Sequence, residues 1–395
     1  MAESTLHIGY LIAHSPSANV AGLQSFSSHV TESAKKELEA ATQALWAFYE
    51  EESMRLSNDE PRRPSDFLDE ASLRMVEGPY DVVVVITDVA LVSHRHRIVP
   101  GLASPLANVI VISVRRLLLT PRGEPRYNLD DDIIHGNAAT LLLHLMGHVL
   151  GLGHSRDERD VMSPFWFDAT RKTPEGFAEA SQAHLTHLVR KRPRRERLRQ
   201  GSLQTLAFHT VTALRHFGEV LPPLLRNRAP LLPLTLPGLA TAAVVPALVL
   251  VFSAETWDVG VNMTNTAAFL FTLISVLAAT VYLTLVQNLF FPHKEKRVLT
   301  EHLALLNVSV FLAMLFAVLG LFVMLAALML AVQLFIFPAD LITAWPTLED
   351  PVVTGVDQVR IASFISAVGV VTGALAGGLE SRAAIRHLAL FMEEP

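Results

Sequence analysis

The chain reads as an α/β domain followed by an all-α membrane domain of four helices, and three observations predict this. Runs of β-branched residues, Val82–Ile86 and Val109–Val114, are near-continuous, as in strands covered on both faces. Hydrophobic residues make up 51% of the 395, mean hydropathy is +0.36, and the apolar excess lies after residue 230. Between the two halves sits a dense basic run, Arg190-Lys-Arg-Pro-Arg-Arg-Glu-Arg-Leu-Arg199. The expected boundaries are a soluble domain at 1–174, a basic amphipathic connector at 175–230, and a four-helix transmembrane domain at 231–395.

Residues 5–13 read as an apolar first strand, since this stretch lacks the basic start and long apolar core of a signal peptide. Residues 28–57 have helical composition, and 66–76 fit a short helix after Pro61 and Pro64. The strands at 82–86 and 109–114 follow. A helix over 131–150 is capped by Asp130, Asp131 and Asp132, whose charge suits its positive end.

That last helix carries the chemistry. His144 and His148 are four residues apart, so both imidazoles project from one face, a single turn apart, within reach of one ion. A third ligand has to come from beyond the helix. Gly151 can take the positive φ that ends a helix and returns the chain, which brings His154 toward the same point. The set predicts Zn2+ held by His144, His148 and His154, with a fourth position open.

The segment His144-Leu-Met-Gly-His148-Val-Leu-Gly151-Leu-Gly-His154, with Met162 further on, resembles the metzincin signature H-E-x-x-H-x-x-G-x-x-H and its later Met-turn. Upstream, Asp81–Asp88, then Gly101-Leu-Ala103, then Asn108–Ser113 with Arg115, Arg116 and Leu117 is similar to the order found in archaemetzincins. The similarity covers roughly residues 5 to 170. It implies a metzincin-like α/β fold, zinc on the three histidines, and Met162 as an apolar floor beneath the metal. Two departures stand out. Leu145 occupies the place of the general-base Glu, and a chain with no cysteine has no counterpart of the archaemetzincins' second, cysteine-rich zinc site. Asp160, just before the Met-turn, is the substitute base considered; Asp157 and Glu158 read as surface loop.

In the connector a helix is expected from Pro174 through Leu188, and a second from Leu198 to Val220 with one apolar stripe. The basic residues between them, Arg190, Lys191, Arg192, Arg194, Arg195, Arg197 and Arg199, fit a collar on anionic lipid, each contributing about 1 kcal/mol near the surface. A net charge of −6 and the lack of a nucleic-acid-binding motif exclude a nucleic-acid partner.

The four spans read as 231–253, 267–291, 304–337 and 361–379, all without Lys, Arg, Asp, Glu or His. About 20 such residues cross a core of roughly 30 Å; the third is long enough to require tilt or extension. Lys294, Lys296 and Arg297 fill the second connection, the first holds no Lys or Arg, and the third holds none ahead of Arg360. The positive-inside rule then places the zinc domain and both termini of this multi-pass chain in the cytoplasm. Gly369, Gly373 and Gly377 form a small-residue seam for helix packing, within one subunit or in a homo-oligomer.

These features favour a membrane-anchored, zinc-binding pseudopeptidase of metallopeptidase lineage, with hydrolysis lost or reduced, that binds a protein or peptide partner or regulates. The alternatives are an active membrane-associated zinc peptidase with a non-standard base, and a channel or transporter with a regulatory cytosolic zinc domain.

Overall fold

The computed structural model describes residues 5–93, 97–119, 126–190, 198–199, 211, 218, 221, 229–290, 298–299, 301–337, 353–376 and 390–391. It forms two compact units. One comprises Met1–His216, Phe291–Leu306 and Arg386–Pro395, the other Phe217–Phe290 and Asn307–Ile385.

The first unit is built on one sheet. Strand β1 (Thr5–His14) leads into α1 (Val20–Thr42), whose start is capped by the Asn19 side chain accepting from Gly22 N–H at 3.1 Å. Strands β2 (Leu45–Glu50) and β3 (Met54–Arg55) both pair parallel to β1. After α2 (Leu68–Glu77) come β4 (Val82–Thr87), the short pair β5 (Leu91–Val92) and β6 (Ile98–Val99), then β7 (Gly101–Ser104) and β8 (Val109–Ser113). The order is β2-β1-β4-β8-β7, parallel except for β7, which runs antiparallel to β8 at the edge. Every residue of β4 and β8 is buried, as their unbroken β-branched sequences require.

The helix expected over 28–57 is corrected at both ends. It begins at Val20 and stops at Gln43, which takes a left-handed φ of 52°. The stretch Leu45–Glu50 then becomes β2, because its aromatic residues pack in a sheet; Trp46 is 1% exposed and its indole N–H donates to Thr42 Oγ1 at 2.9 Å.

After α3 (Val114–Leu118), helix α4 (Asp132–Leu150) packs on β7, β8 and α1. It is long and apolar enough to cross a membrane, yet 83% of it is buried by protein, so its apolarity belongs to a core. Helix α5 (Glu179–Arg190) lies against α1, and the Thr186 hydroxyl reaches Ala41 O at 3.4 Å. The first connector helix is therefore part of the α/β unit.

Of the basic run, Arg190 closes α5 and Arg199 is in a two-residue ribbon; Lys191, Arg192, Arg194, Arg195 and Arg197 lie outside the described residues. In that ribbon Leu198–Arg199 pairs antiparallel with Val298–Leu299. The expected helix from Leu198 is thus wrong at its start, because a distant segment supplies a strand partner that no local pattern reveals. Most of the remainder, to Val220, is outside the described residues.

The second unit is helical. A 3-10 run, Ala229–Thr235, precedes α6 (Pro237–Val251), and α7 (Ala254–Asn262) follows at a bend of 87°. The stretch expected as a single first span at 231–253 is therefore not one continuous helix: a 3-10 run precedes α6, and the chain bends sharply after it. Pro237 opens α6 in its first turn and the bend after Val251 closes it, so regular helix is confined to 15 residues, about 22 Å. The Trp257 indole N–H crosses the bend to Val251 O at 2.7 Å. Helices α8 (Asn265–Val286), α9 (Glu301–Phe335) and α10 (Gly355–Ala376) are each long and apolar enough to cross a membrane, as α6 and α7 are if taken together.

The last span also needs correction. It starts at Gly355 rather than 361, and so includes Asp357 and Arg360. Arg360 pairs with Asp357 and donates to Met263 O, while Asp357 caps the helix by accepting from Thr354 N–H at 2.8 Å. A hydropathy reading discards such a turn, although the pair satisfies most of its own polarity.

Gly369 and Gly373 face α6 of the same chain. A Cβ at Gly369 would lie 3.0 Å from Ala243 O, and one at Gly373 would lie 2.7 Å from Ala243 Cβ. Gly377 is outside the described residues. Gly373→Leu is expected to destabilise the helical unit by roughly 1–3 kcal/mol through overpacking. A lower melting midpoint in detergent, with metal content unchanged, is the outcome to check.

Candidate metal centre

Helix α4 is held in place by its apolar faces. Leu141, Leu142, Leu145 and Met146 are at most 2% exposed within the main core, which fixes the rotation of the helix. His144 is consequently fully buried, and His148, one turn later, is half-buried. The helix ends at Gly151 with φ 100°, and Leu152 N–H returns to Gly147 O at 2.9 Å. This left-handed turn brings His154 back from the exposed loop.

The three imidazoles meet. Their ring centroids lie 4.6, 4.7 and 5.4 Å apart, and one nitrogen from each falls within 4.8 Å of the others. Two backbone carbonyls set their orientation. His144 Nδ1 faces Val161 O at 2.7 Å, and His148 Nδ1 faces Leu152 O at 3.0 Å. A carbonyl only accepts, so each Nδ1 carries the proton and each Nε2 presents a lone pair. Those two Nε2 atoms are 3.0 Å apart.

Two facing lone pairs repel unless a proton or a cation lies between them. Tetrahedral ligation at about 2.0–2.1 Å places neighbouring nitrogens about 3.3 Å apart, close to the geometry already present. The donor set, three nitrogens with carbonyl acceptors behind two of them, therefore fits a divalent metal of zinc type. No carboxylate joins the group among the described residues.

Met162 is fully buried and packs against Gly147 of α4. A Cβ on Gly147 would come within 2.2 Å of its sulfur, so only glycine permits that approach. Asp160, considered above as a base, is 1% exposed. Its carboxylate accepts from Met162 N–H at 3.1 Å, from the Ser181 hydroxyl at 2.5 Å and from Ala178 N–H at 3.4 Å. Its geometry is that of a brace for the Met162 turn. Asp160→Ala is expected to cost about 1–3 kcal/mol of stability. By loosening the turn that carries the Val161 carbonyl, it should also weaken metal binding about 10- to 100-fold, measurable by chelator competition.

Leu145 is 1% exposed and packs toward the edge strand; a Cβ at Gly101 would lie 2.9 Å from its Cδ1. The side chain following the first histidine is thus part of the wall between α4 and β7. Sequence reasoning did not identify this contact, nor the carbonyls of Leu152 and Val161. It also missed Asn137, fully buried on α4, which accepts from Asp168 N–H and Arg171 Nη1, both at 2.9 Å. These bonds tie the segment after Met162 to the metal helix. Asp168 itself is held below the usual carboxylate range by the backbone N–H and hydroxyl of Thr170. A polar residue amid the apolar run 134–150 was the available signal.

Neither a protein-family model nor a curated protein matches the chain. Solved structures do. The chain is similar to an archaemetzincin from Methanopyrus kandleri at 19% identity, over 46% of this chain and 96% of that one, with a TM-score of 0.33. A zinc-dependent peptidase from Methanocorpusculum labreanum is 19% identical over 45% of this chain and 99% of its own, with a TM-score of 0.33. An archaemetzincin from Archaeoglobus fulgidus, complexed with malonate, is 20% identical over 44% and 98%, with a TM-score of 0.30.

Proposed function

We propose that this chain is a membrane-anchored zinc-binding protein of metallopeptidase lineage whose hydrolytic chemistry is lost or reduced, and that its zinc domain binds or regulates. The observation that carries the reading is the pairing of three convergent histidines with a buried leucine beside the first. His144, His148 and His154 would hold the ion. Bound zinc supplies a Lewis acid and lowers the pKa of a coordinated water to about 7. A peptidase needs a carboxylate positioned to take the proton of that water, and Leu145 has no group that can do so. Asp160 is already engaged by three donors, which disfavours an active enzyme with a substitute base.

In this reading the helical unit resides in a lipid bilayer, with the zinc domain and both termini on the cytoplasmic side. Lys and Arg concentrate before the first span and between the second and third, which supports that orientation. The Arg190–Arg199 run would contact anionic headgroups. The polar cluster at Asp357 and Arg360 is a capped, paired helix start and gives no separate support to a transport function.

Metal analysis of the purified full-length protein tests the proposal. One zinc per chain, removed by chelator and restored on readdition, is expected. A preparation that takes up no zinc under any loading condition would falsify it.

A further inference from the structure

Strand β7 is the least secured strand beside the metal helix. It has four residues, lies at the sheet edge and, among the described residues, pairs with β8 alone. A short edge strand depends on what covers it. At its first end Gly101 meets α4: a Cβ there would lie 2.9 Å from Leu145 Cδ1 and 3.3 Å from Leu141 Cδ2. Leu145 follows His144 directly, so the position of β7 bears on the helix turn that carries the first histidine.

The other end is held by a distant piece of chain. Ser104 is fully buried and its hydroxyl is used twice. It accepts from Ala107 N–H at 3.1 Å, closing the turn into β8, and donates to Leu390 O at 2.8 Å. Leu390 and Phe391 are 1% and 2% exposed and belong to the same compact unit as the histidines. They follow the last helix, α10, which ends at Ala376.

In the membrane-anchored reading, a segment beyond α10 reaches this place only by returning to the side of the bilayer where the α/β unit lies. The helix count agrees. Leu198–Arg199 pairs with Val298–Leu299, so an even number of crossings separates those two segments, and another even number separates Leu299 from Leu390. Helix α8 then has the bent α6–α7 pair as its companion crossing, and α9 has α10.

We propose that the β7–β8 hairpin is a docking site whose occupant is the chain's own segment at Leu390 and Phe391, a clasp that ties the last membrane helix to the wall of the metal centre. The dock stands on contacts within the α/β unit; its effect on the metal rests on the zinc-binding reading above. With the clasp in place, Gly101 is held against Leu141 and Leu145. With it released, the edge strand opens and α4 loses one wall. Local opening of this kind is governed by the few contacts that hold the opening segment.

Hydrogen exchange on the full-length protein in detergent reads the dock, and transfer of zinc to a chelator reads the coupling. In Phe391→Ala the N–H groups that pair β7 with β8 are expected to exchange about tenfold faster or more, because a buried ring is lost, and zinc is expected to leave about tenfold faster. Ser104→Ala keeps the apolar packing, should move both readouts the same way by a smaller factor, and replaces Phe391→Ala if that variant does not fold. Asn19→Ala removes the cap of α1 in the same unit and controls for general loss of stability; it should leave the β7–β8 exchange unchanged. Exchange at the wild-type rate in both test variants would overturn the dock. Faster exchange with an unchanged rate of zinc release would overturn the coupling to the metal. Protein that takes up no zinc would overturn the zinc-binding reading and the coupling with it, whereas the dock still stands or falls by exchange.

Discussion

Leu145→Glu is expected to leave the zinc-free protein several kcal/mol less stable and to regain most of that loss when zinc is supplied. Position 145 is 1% exposed and lies among Leu141, Leu142 and Met146. A carboxylate placed there without a partner meets the cost of an uncompensated buried charge, about 3–5 kcal/mol. A divalent ion on the neighbouring His144 provides the opposite charge, so metal and stability become linked more strongly than in wild type. Comparing melting midpoints of zinc-loaded and zinc-free protein for wild type, Leu145→Glu and Leu145→Gln separates charge from shape. The Gln variant should show the packing loss without the enhanced zinc rescue.

The same variant bears on hydrolysis. A correctly placed general base is worth about 10²- to 10⁴-fold in rate, so chelator-sensitive peptide cleavage should rise by up to that factor if the missing carboxylate is the principal defect. For that, the side chain must turn from Gly101 toward the ion. A variant that holds one zinc and remains at the wild-type rate would place a further defect in the wall formed by β7.

His148→Ala should abolish stoichiometric zinc binding. Two imidazoles remain, one of them on the exposed loop at His154. Loss of an outer carbonyl partner already costs metal sites about 10- to 100-fold, and loss of a direct ligand should exceed that. The fold should persist, because α4 is fixed by its leucine faces and not by the histidines. Zinc per chain and circular dichroism, measured together, check both halves of the expectation. Retention of one tightly bound zinc would mean that the ion sits elsewhere. Any cleavage that survives this substitution comes from a contaminant.

Much of the fold was legible where local chemistry had only one outcome. Val82–Thr87 and Val109–Ser113 could only be buried strands, and the helix ending at Gly151 was readable to within a residue. The long apolar runs led to α8 and α9 with small shifts in their ends. Errors arose where a partner from elsewhere decided. Leu45–Glu50 has a composition that suits a helix as well as a strand, and the neighbouring β1 selected the strand. Leu198 likewise lost its helix to Val298–Leu299. The edge strand β7, only four residues long, has too short a pattern to be seen alone.

For the site, sequence alone determined which atoms are available: three imidazoles at offsets of four and six residues, a glycine to turn the chain, and a leucine where a base would be needed. These follow from helical periodicity and from side-chain chemistry, both of which are local. Only the tertiary structure decided what those atoms face. It set the Val161 and Leu152 carbonyls behind two of the rings, committed Asp160 to the Met162 turn, laid Leu145 on Gly101, and turned Gly369 and Gly373 toward α6. Those outcomes depend on the packing of segments far apart in the chain, and side-chain protonation, burial and contact are properties of that packing rather than of residue order.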